Sequence, residues 1–263
     1  MTGTGRIIDV NVNLSRWPTR RFPRDETASL VAKLRAHGVA DAWAGSFDGL
    51  FHKDLAAVNA HLADECREAK GVRLVPFGSV NPLLPDWEDD LRRCAEEHRM
   101  PGIRLHPNYH GYALDHPEFA RLLALATERR LVVTLAPLME DVRMMHPLLR
   151  VPPADLTPLA AVVDRTPGLR LALLNIPAAL RGEALEKLLG AVEVYVDISM
   201  IEGVAGVENL LEGIPPGRVL FGSHAPFFYF EAALLKLKES ILTEPQIRAV
   251  REGNARRLLP SRP

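Results

Sequence analysis

Arg6-Ile7-Ile8-Asp9-Val10-Asn11-Val12-Asn13, followed by the helical pattern Glu26 to Ala36 and a second β-rich run Val39 to Ala44, decides the fold. A short run rich in β-branched residues, then an amphipathic segment, then another such run is one βα unit, whose crossover lays the two strands parallel. The alternation continues along the chain. Further β-rich runs lie at Arg73 to Val80, Gly102 to His106, Leu131 to Ala136, Leu169 to Leu174, Val194 to Ser199 and Val219 to Gly222. Helical patterns fall at Asp54 to Glu68, Trp87 to His98, Pro117 to Arg129, Leu156 to Asp164, Ala179 to Leu189, Val204 to Glu212 and Phe228 to Ser240. Eight strands alternating with helices predict an α/β fold, a single (β/α)8 TIM barrel over residues 1–263. A final helix, Pro245 to Leu259, is expected outside or beneath the barrel.

Composition agrees with one domain. The chain has 263 residues, 47% of them hydrophobic, enough for a large core. Its 32 Lys and Arg balance 33 Asp and Glu without a long basic run, which disfavours a nucleic-acid partner and favours a small polar ligand. Cys66 and Cys94 each sit in a helical pattern without a CxxC partner, arguing against a disulfide framework or a zinc–cysteine site. No run of about 18 apolar residues occurs, and Met1 to Arg6 lacks the apolar stretch of a signal peptide. A soluble, cytoplasmic chain without membrane contact is expected, with a homo-oligomer left open. Pro137 to Pro153, carrying four prolines, reads as a functional loop.

In such barrels the reactive groups stand at the C-terminal ends of the strands. An Asp-x-His-x-His ending would aim two imidazoles at one face to hold a cation, but here Asn11 and Asn13 stand in those places. The other strand ends offer Ser46 and His52; Ser79 and Asn81; Arg104, His106 and His110; Glu140, Asp141, Arg143 and His146; Asn175; Asp197, Ser199 and Glu202; and Ser223 and His224.

Four pieces in order, Asp9-Val10-Asn11-Val12-Asn13, Gly102-Ile103-Arg104-Leu105-His106-Pro107, Phe221-Gly222-Ser223-His224-Ala225-Pro226 and Gly253-Asn254-Ala255-Arg256-Arg257-Leu258-Leu259, resemble the amidohydrolase-related (amidohydrolase 2) family of the amidohydrolase superfamily. The resemblance covers nearly the whole chain. It implies metal-assisted hydrolases, non-oxidative decarboxylases of aromatic or unsaturated acids, and lactonases. Metal-bearing members of that family carry two histidines on strand one, further histidines on strands five and six, and an aspartate in Gly-Ser/Thr-Asp on strand eight. This chain has Asn11 and Asn13, no histidine ending strand five, Asn175, and His224. Carboxamides are poor ligands for zinc or manganese. No cofactor is therefore expected, the alternative being a relocated zinc or manganese held by His106, His110, His146 and His224.

Without a metal, the same residues can serve as acid, base and anchors. An ordinary histidine titrates near pH 6.5, so His224 is read as general base, with His106 and His146 as catalytic partners. Asn11, Asn13, His110 and Asn175 are read as substrate donors, and Arg104 and Arg143 as clamps for a carboxylate. Structural readings stand beside these: Arg104 bracing against Asp9 or Asp197, Asp9 fixing the asparagine amides, Asp141 pairing with Arg143, and His110 making a structural hydrogen bond. Trp17, Pro18 and Phe22 with Arg16, Arg20, Arg21 and Arg24 read as a lid or a solvated basic loop. The run Phe227-Phe228-Tyr229-Phe230 could wall a pocket, meet a second subunit or join the core.

The leading expectation is a hydrolase acting on a small carboxylate-bearing lactone, ester or amide. The alternatives are a non-oxidative decarboxylase of an unsaturated or aromatic acid, and a catalytically silent metabolite-binding barrel. Relative to the resembled family, asparagine replaces histidine and histidine replaces aspartate, keeping hydrogen-bonding capacity at each place. That pattern favours retained chemistry over decay.

Overall fold

The computed structural model describes residues 6–176, 188–190 and 194–259. Its strands are β1 (Ile7–Leu14), β2 (Val39–Ser46), β3 (Arg73–Ser79), β4 (Gly102–Leu105), β5 (Val132–Leu135), β6 (Arg170–Leu173), β7 (Val194–Asp197) and β8 (Val219–Leu220). They pair in chain order, every pair parallel. The ring closes between β8 and β1, where Val10 N donates to Phe221 O and Asn13 N to Ala225 O, each at 2.9 Å. Val12 and Ala225 form a parallel bridge at the same seam. The predicted barrel is thus present, with helices between the strands at Thr27–Ala36, Leu55–Glu68, Pro117–Glu128, Leu159–Asp164 and Gly206–Gly213. The pattern Ala179 to Leu189 lies mostly outside the described residues.

Strand alternation divides the core in two. Ile8, Val10, Trp43, Val75, Phe77, Val132, Ala172 and Leu220 pack together inside the barrel. Residues of opposite parity, such as Ile103, Leu105, Val133, Leu135, Leu171 and Leu173, pack outward with Leu34, Leu62, Phe119 and Leu122 of the helices. β1 departs from the regular ladder, with register shifts between Ile7 and Ile8 and between Asp9 and Val12. Such bulges insert an unpaired residue and re-aim the backbone. Carbonyls of β1 are turned inward, which matters for Arg104 below.

The C-terminal segment is helical from Glu244 to Leu258, with a wider turn over Ala249–Gly253. Thr243 and Gln246 cap its start reciprocally. Val250 O accepts from Phe221 N at 3.0 Å, and Asn254 Nδ2 donates to Pro216 O at 2.7 Å and Val219 O at 2.6 Å. Ala255 and Leu258 join Ile8 in the inner core, so this helix closes the N-terminal end of the barrel. Among the described residues no helix is long and apolar enough to cross a membrane.

Candidate functional site at the barrel mouth

The inward-turned carbonyls of β1 hold the buried Arg104. Its Nη1 donates to Val12 O at 2.7 Å and Asn13 Oδ1 at 3.0 Å, and its Nη2 to Val10 O and Trp43 O, both at 3.0 Å. Gly45 leaves room for it, since a Cβ there would stand 2.8 Å from Nη1. Burial pulls the guanidinium down to about 10, opposed by Asp197 and Asp9. With its four terminal N–H groups engaged, Arg104 braces β4 against β1 and β2, and the two-pronged carboxylate clamp expected of it is not available. The brace runs to carbonyls, not to a direct ion pair with Asp9 or Asp197.

The asparagines form a second layer. Asn11 Nδ2 lies 2.7 Å from both Asn175 Oδ1 and Asp197 Oδ2, and 3.4 Å from Ser199 Oγ. Asp197 also accepts from the Asn175 backbone and from Ser199, each at 3.0 Å, and Asn175 Nδ2 donates to Leu138 O at 2.9 Å. Gly222 permits this approach, because a Cβ there would fall 2.3 Å from Asp197 Oδ2. Asp9 Oδ1 accepts from the backbone N–H of Asn11 at 3.1 Å and Ser223 at 3.0 Å, so it fixes backbone at the seam and not side-chain amides. Burial pushes Asp9 up to about 7 and raises Asp197 as well. The amide N–H groups of Asn11 and Asn175 are thus spent within the protein. Asn13 keeps an amide nitrogen without a partner among the described residues.

His106 and His224 are wholly buried. Neither ring nitrogen of His106 has a partner among the described residues, and burial, then His110, Arg104 and His224, holds its pKa far below the ordinary value. His224 Nε2 donates to Met139 O at 2.8 Å, which leaves the lone pair on Nδ1. Its ring stacks on Phe227 at 4.8 Å, and burial pushes it down to about 4. His224 is therefore neutral at pH 7 and a far weaker base than its unperturbed value suggested. His110 donates from Nε2 to Gly49 O at 2.8 Å, the structural hydrogen bond considered for it.

His146 and Arg143 do not join this group. Both are exposed: Arg143 pairs with Asp141 within its own loop, and His146 Nδ1 accepts from Leu148 N at 3.2 Å. The short turn Val142–Met144 carries them to solvent while Met139 and Met145 face inward.

An aromatic lid covers the mouth. Trp17 meets Phe47 and Phe51 at 5.3 Å, Tyr109 at 6.1 Å and Phe227 at 4.8 Å. Arg20 lies 5.0 Å over Phe22 and 5.8 Å over Phe227, and its Nη2 is 2.9 Å from Glu140 Oε1. Glu140 is buried, and desolvation raises its carboxyl against the pull of Arg20. The remaining lid arginines face elsewhere, Arg16 and Arg21 on Glu26 and Asp25, and Arg24 on Ser29 Oγ at 3.3 Å. The aromatic run is divided: Phe227 and Phe228 meet His224, Phe230 enters the core and Tyr229 is exposed. Arg20 is the arginine of the expected lid that meets the mouth, and Glu140 and Tyr109 lie beside it although the sequence reading gave those two no role. Glu140 was visible as a strand-end acid, whereas Tyr109 had no signal.

The residues at the conventional ligand positions, Asn11, Asn13 and Asn175, do not suit a divalent metal. An amide N–H of Asn11, not a lone pair, faces the oxygens of Asn175, Asp197 and Ser199. Among the described residues no three His, Cys, Asp or Glu side chains are grouped to hold an ion.

Solved structures share the fold. The 5-carboxyvanillate decarboxylase of Sphingomonas paucimobilis is 16% identical over 97% of this chain and 98% of its own, with a TM-score of 0.75. The 2,6-dihydroxybenzoate decarboxylase of Rhizobium is 15% identical over 98% of each chain, TM-score 0.72. The 5-carboxyvanillate decarboxylase of Novosphingobium aromaticivorans, solved with manganese and 4-hydroxy-3-methoxy-5-nitrobenzoic acid, is 15% identical over 97% of this chain and 95% of its own, TM-score 0.73. No curated protein matches. The sequence profile of the amidohydrolase family (amidohydrolase 2) matches residues 10–261, and together with the barrel and its strand-end polar groups this shows that the chain belongs to that family.

Proposed function

We propose that this chain is a non-oxidative decarboxylase of a small aromatic or unsaturated acid, working beneath the aromatic lid. The observation that carries the reading is the contrast in proton affinity at the mouth: burial raises the carboxyl of Glu140 and lowers the imidazoles of His106 and His224. Hydrolysis of a lactone, ester or amide needs a base to activate water, and an imidazole held near 4 is a poor one at neutral pH. Decarboxylation needs the reverse, a proton delivered to carbon. The decarboxylases among the structural relatives support the same choice.

The overall change is R–COO⁻ + H⁺ → R–H + CO₂. Entering substrate exchanges its carboxylate for Glu140 on Arg20, which removes the positive charge that holds Glu140 ionised. Freed from Arg20, Glu140 takes up a proton from water and then gives it to the carbon bearing the carboxylate. The bond to the carboxylate carbon breaks, its electron pair returns to the ring or alkene, and carbon dioxide leaves. When the lid opens and product leaves, Glu140, now ionised, returns to Arg20. His106 and the free amide of Asn13 hydrogen-bond polar substituents, while Trp17, Tyr109 and Phe227 hold the plane and exclude water.

Incubation with hydroxybenzoates and unsaturated monoacids in D₂O should release carbon dioxide and leave deuterium on the carbon that carried it. Glu140→Gln should lower that turnover by about 100-fold or more. Lactone or ester opening that depends on His224, without release of carbon dioxide from any acid, would overturn the reading in favour of hydrolysis.

A further inference from the structure

Beside the mouth, between the loop after β1 and the segment Ala225 to Glu231, lies a cavity of about 610 Å³. Phe22, Phe227 and Phe228 wall it, and Arg20, Arg24 and Lys33 line it against a single acidic residue, Glu231. The charges are not equally engaged. Lys33 is paired with Glu231, which His37 also approaches at 3.2 Å, and Arg20 is paired with Glu140. Arg24 has only Ser29 Oγ at 3.3 Å and no carboxylate partner among the described residues. Phenyl walls with one unneutralised guanidinium at the rim complement a flat apolar ligand that carries a single negative charge.

We infer that this cavity is a binding site for an aromatic carboxylate, its ring against Phe22, Phe227 and Phe228 and its carboxylate on Arg24. The cavity adjoins the mouth and shares lining residues with it, Phe227 and Arg20 foremost. Phe227 both stacks on His224 and walls the cavity, and Arg20 lies over Phe227 and also lines the cavity. A ligand held here waits one side chain away from His224. The inference rests on the decarboxylase reading only for where the ligand goes next.

Calorimetric titration of the whole chain with 2-naphthoate and with neutral 2-naphthamide tests it. Naphthoate should bind about tenfold or more tightly than the amide, because a charge-assisted bond is worth at least that factor. Arg24→Gln should cost naphthoate about tenfold and leave the amide unchanged, and Arg24→Glu should cost more. Arg16→Glu, on the same loop but outside the cavity, should stay within about twofold of the parent, since exposed charges at a distance are screened. Equal binding of acid and amide, naphthoate binding indifferent to Arg24, or no binding of naphthoate would each overturn the site. The titration reads no turnover. Arg24-dependent binding without release of carbon dioxide would sink the decarboxylase reading and leave the site standing; turnover without such binding would do the reverse.

Discussion

Arg104 and Asp9 show how much depends on single buried groups. The guanidinium donates four hydrogen bonds, three of them to backbone carbonyls on β1 and β2. Arg104→Lys keeps the charge but cannot span those acceptors, and should cost about 3–5 kcal/mol of stability in a urea titration. Asp9 gives a pH signature. Its folded pKa, about 7, lies above the ordinary carboxylate value of 3.8, so its contribution to stability is full below about pH 4 and is lost as pH rises through 7. Asp9→Asn still accepts from the Asn11 and Ser223 backbones but has no charge to bury. Relative to the parent, this variant should gain stability between pH 4 and pH 8, on the order of 4 kcal/mol at the upper end, measured by denaturation at a series of pH values. His224 has the opposite sense, its folded value of about 4 making stability fall as pH drops below 6.5. The difference between Asp9→Asn and its parent separates the two.

Among the elements, the strands and most helices were legible because each repeats one period, and predicted bounds such as Val39 to Ala44 lie within a few residues of the observed ones. The bulges of β1 were not legible. They leave alternation nearly intact while turning Val10 and Val12 carbonyls inward, so Arg104 read as a ligand clamp or an acid-paired brace and proved to be a carbonyl brace. The Pro137 to Pro153 loop has no period, and nothing in it distinguishes Glu140, which turns in, from Arg143 and His146, which turn out. Burial depressed His224 for a similar reason: the sequence gives the residue type, but only the packed Phe227 ring and neighbouring chain set its surroundings. The lid is the element to perturb. Trp17→Ala removes the ring shared by Phe47, Phe51, Tyr109 and Phe227, and should expose His106 and His224, so that diethyl pyrocarbonate modifies them at least about tenfold faster. Unchanged protection would mean that the mouth is shut by other groups.

For the molecule as a whole, the charges that shape the mouth belong to the chain itself. Arg104 supplies the buried cation, and the amide of Asn11 gathers side-chain oxygens of Asp197 on β7 and of Asn175 and Ser199 just beyond β6 and β7. Exhaustive dialysis against a chelator should leave both melting temperature and turnover unchanged, with manganese and zinc well below one ion per chain by elemental analysis. Stoichiometric manganese, as named for the Novosphingobium aromaticivorans relative, would instead show that the lone pairs of His106 and His224 recruit an ion. The lid adds a kinetic consequence. Trp17 touches rings carried on segments after β2, β4 and β8, so no one loop can lift without breaking contacts to the others. Escape of product then becomes a concerted event against solvent drag, and throughput should be set by the viscosity of the medium and not by the bond that breaks.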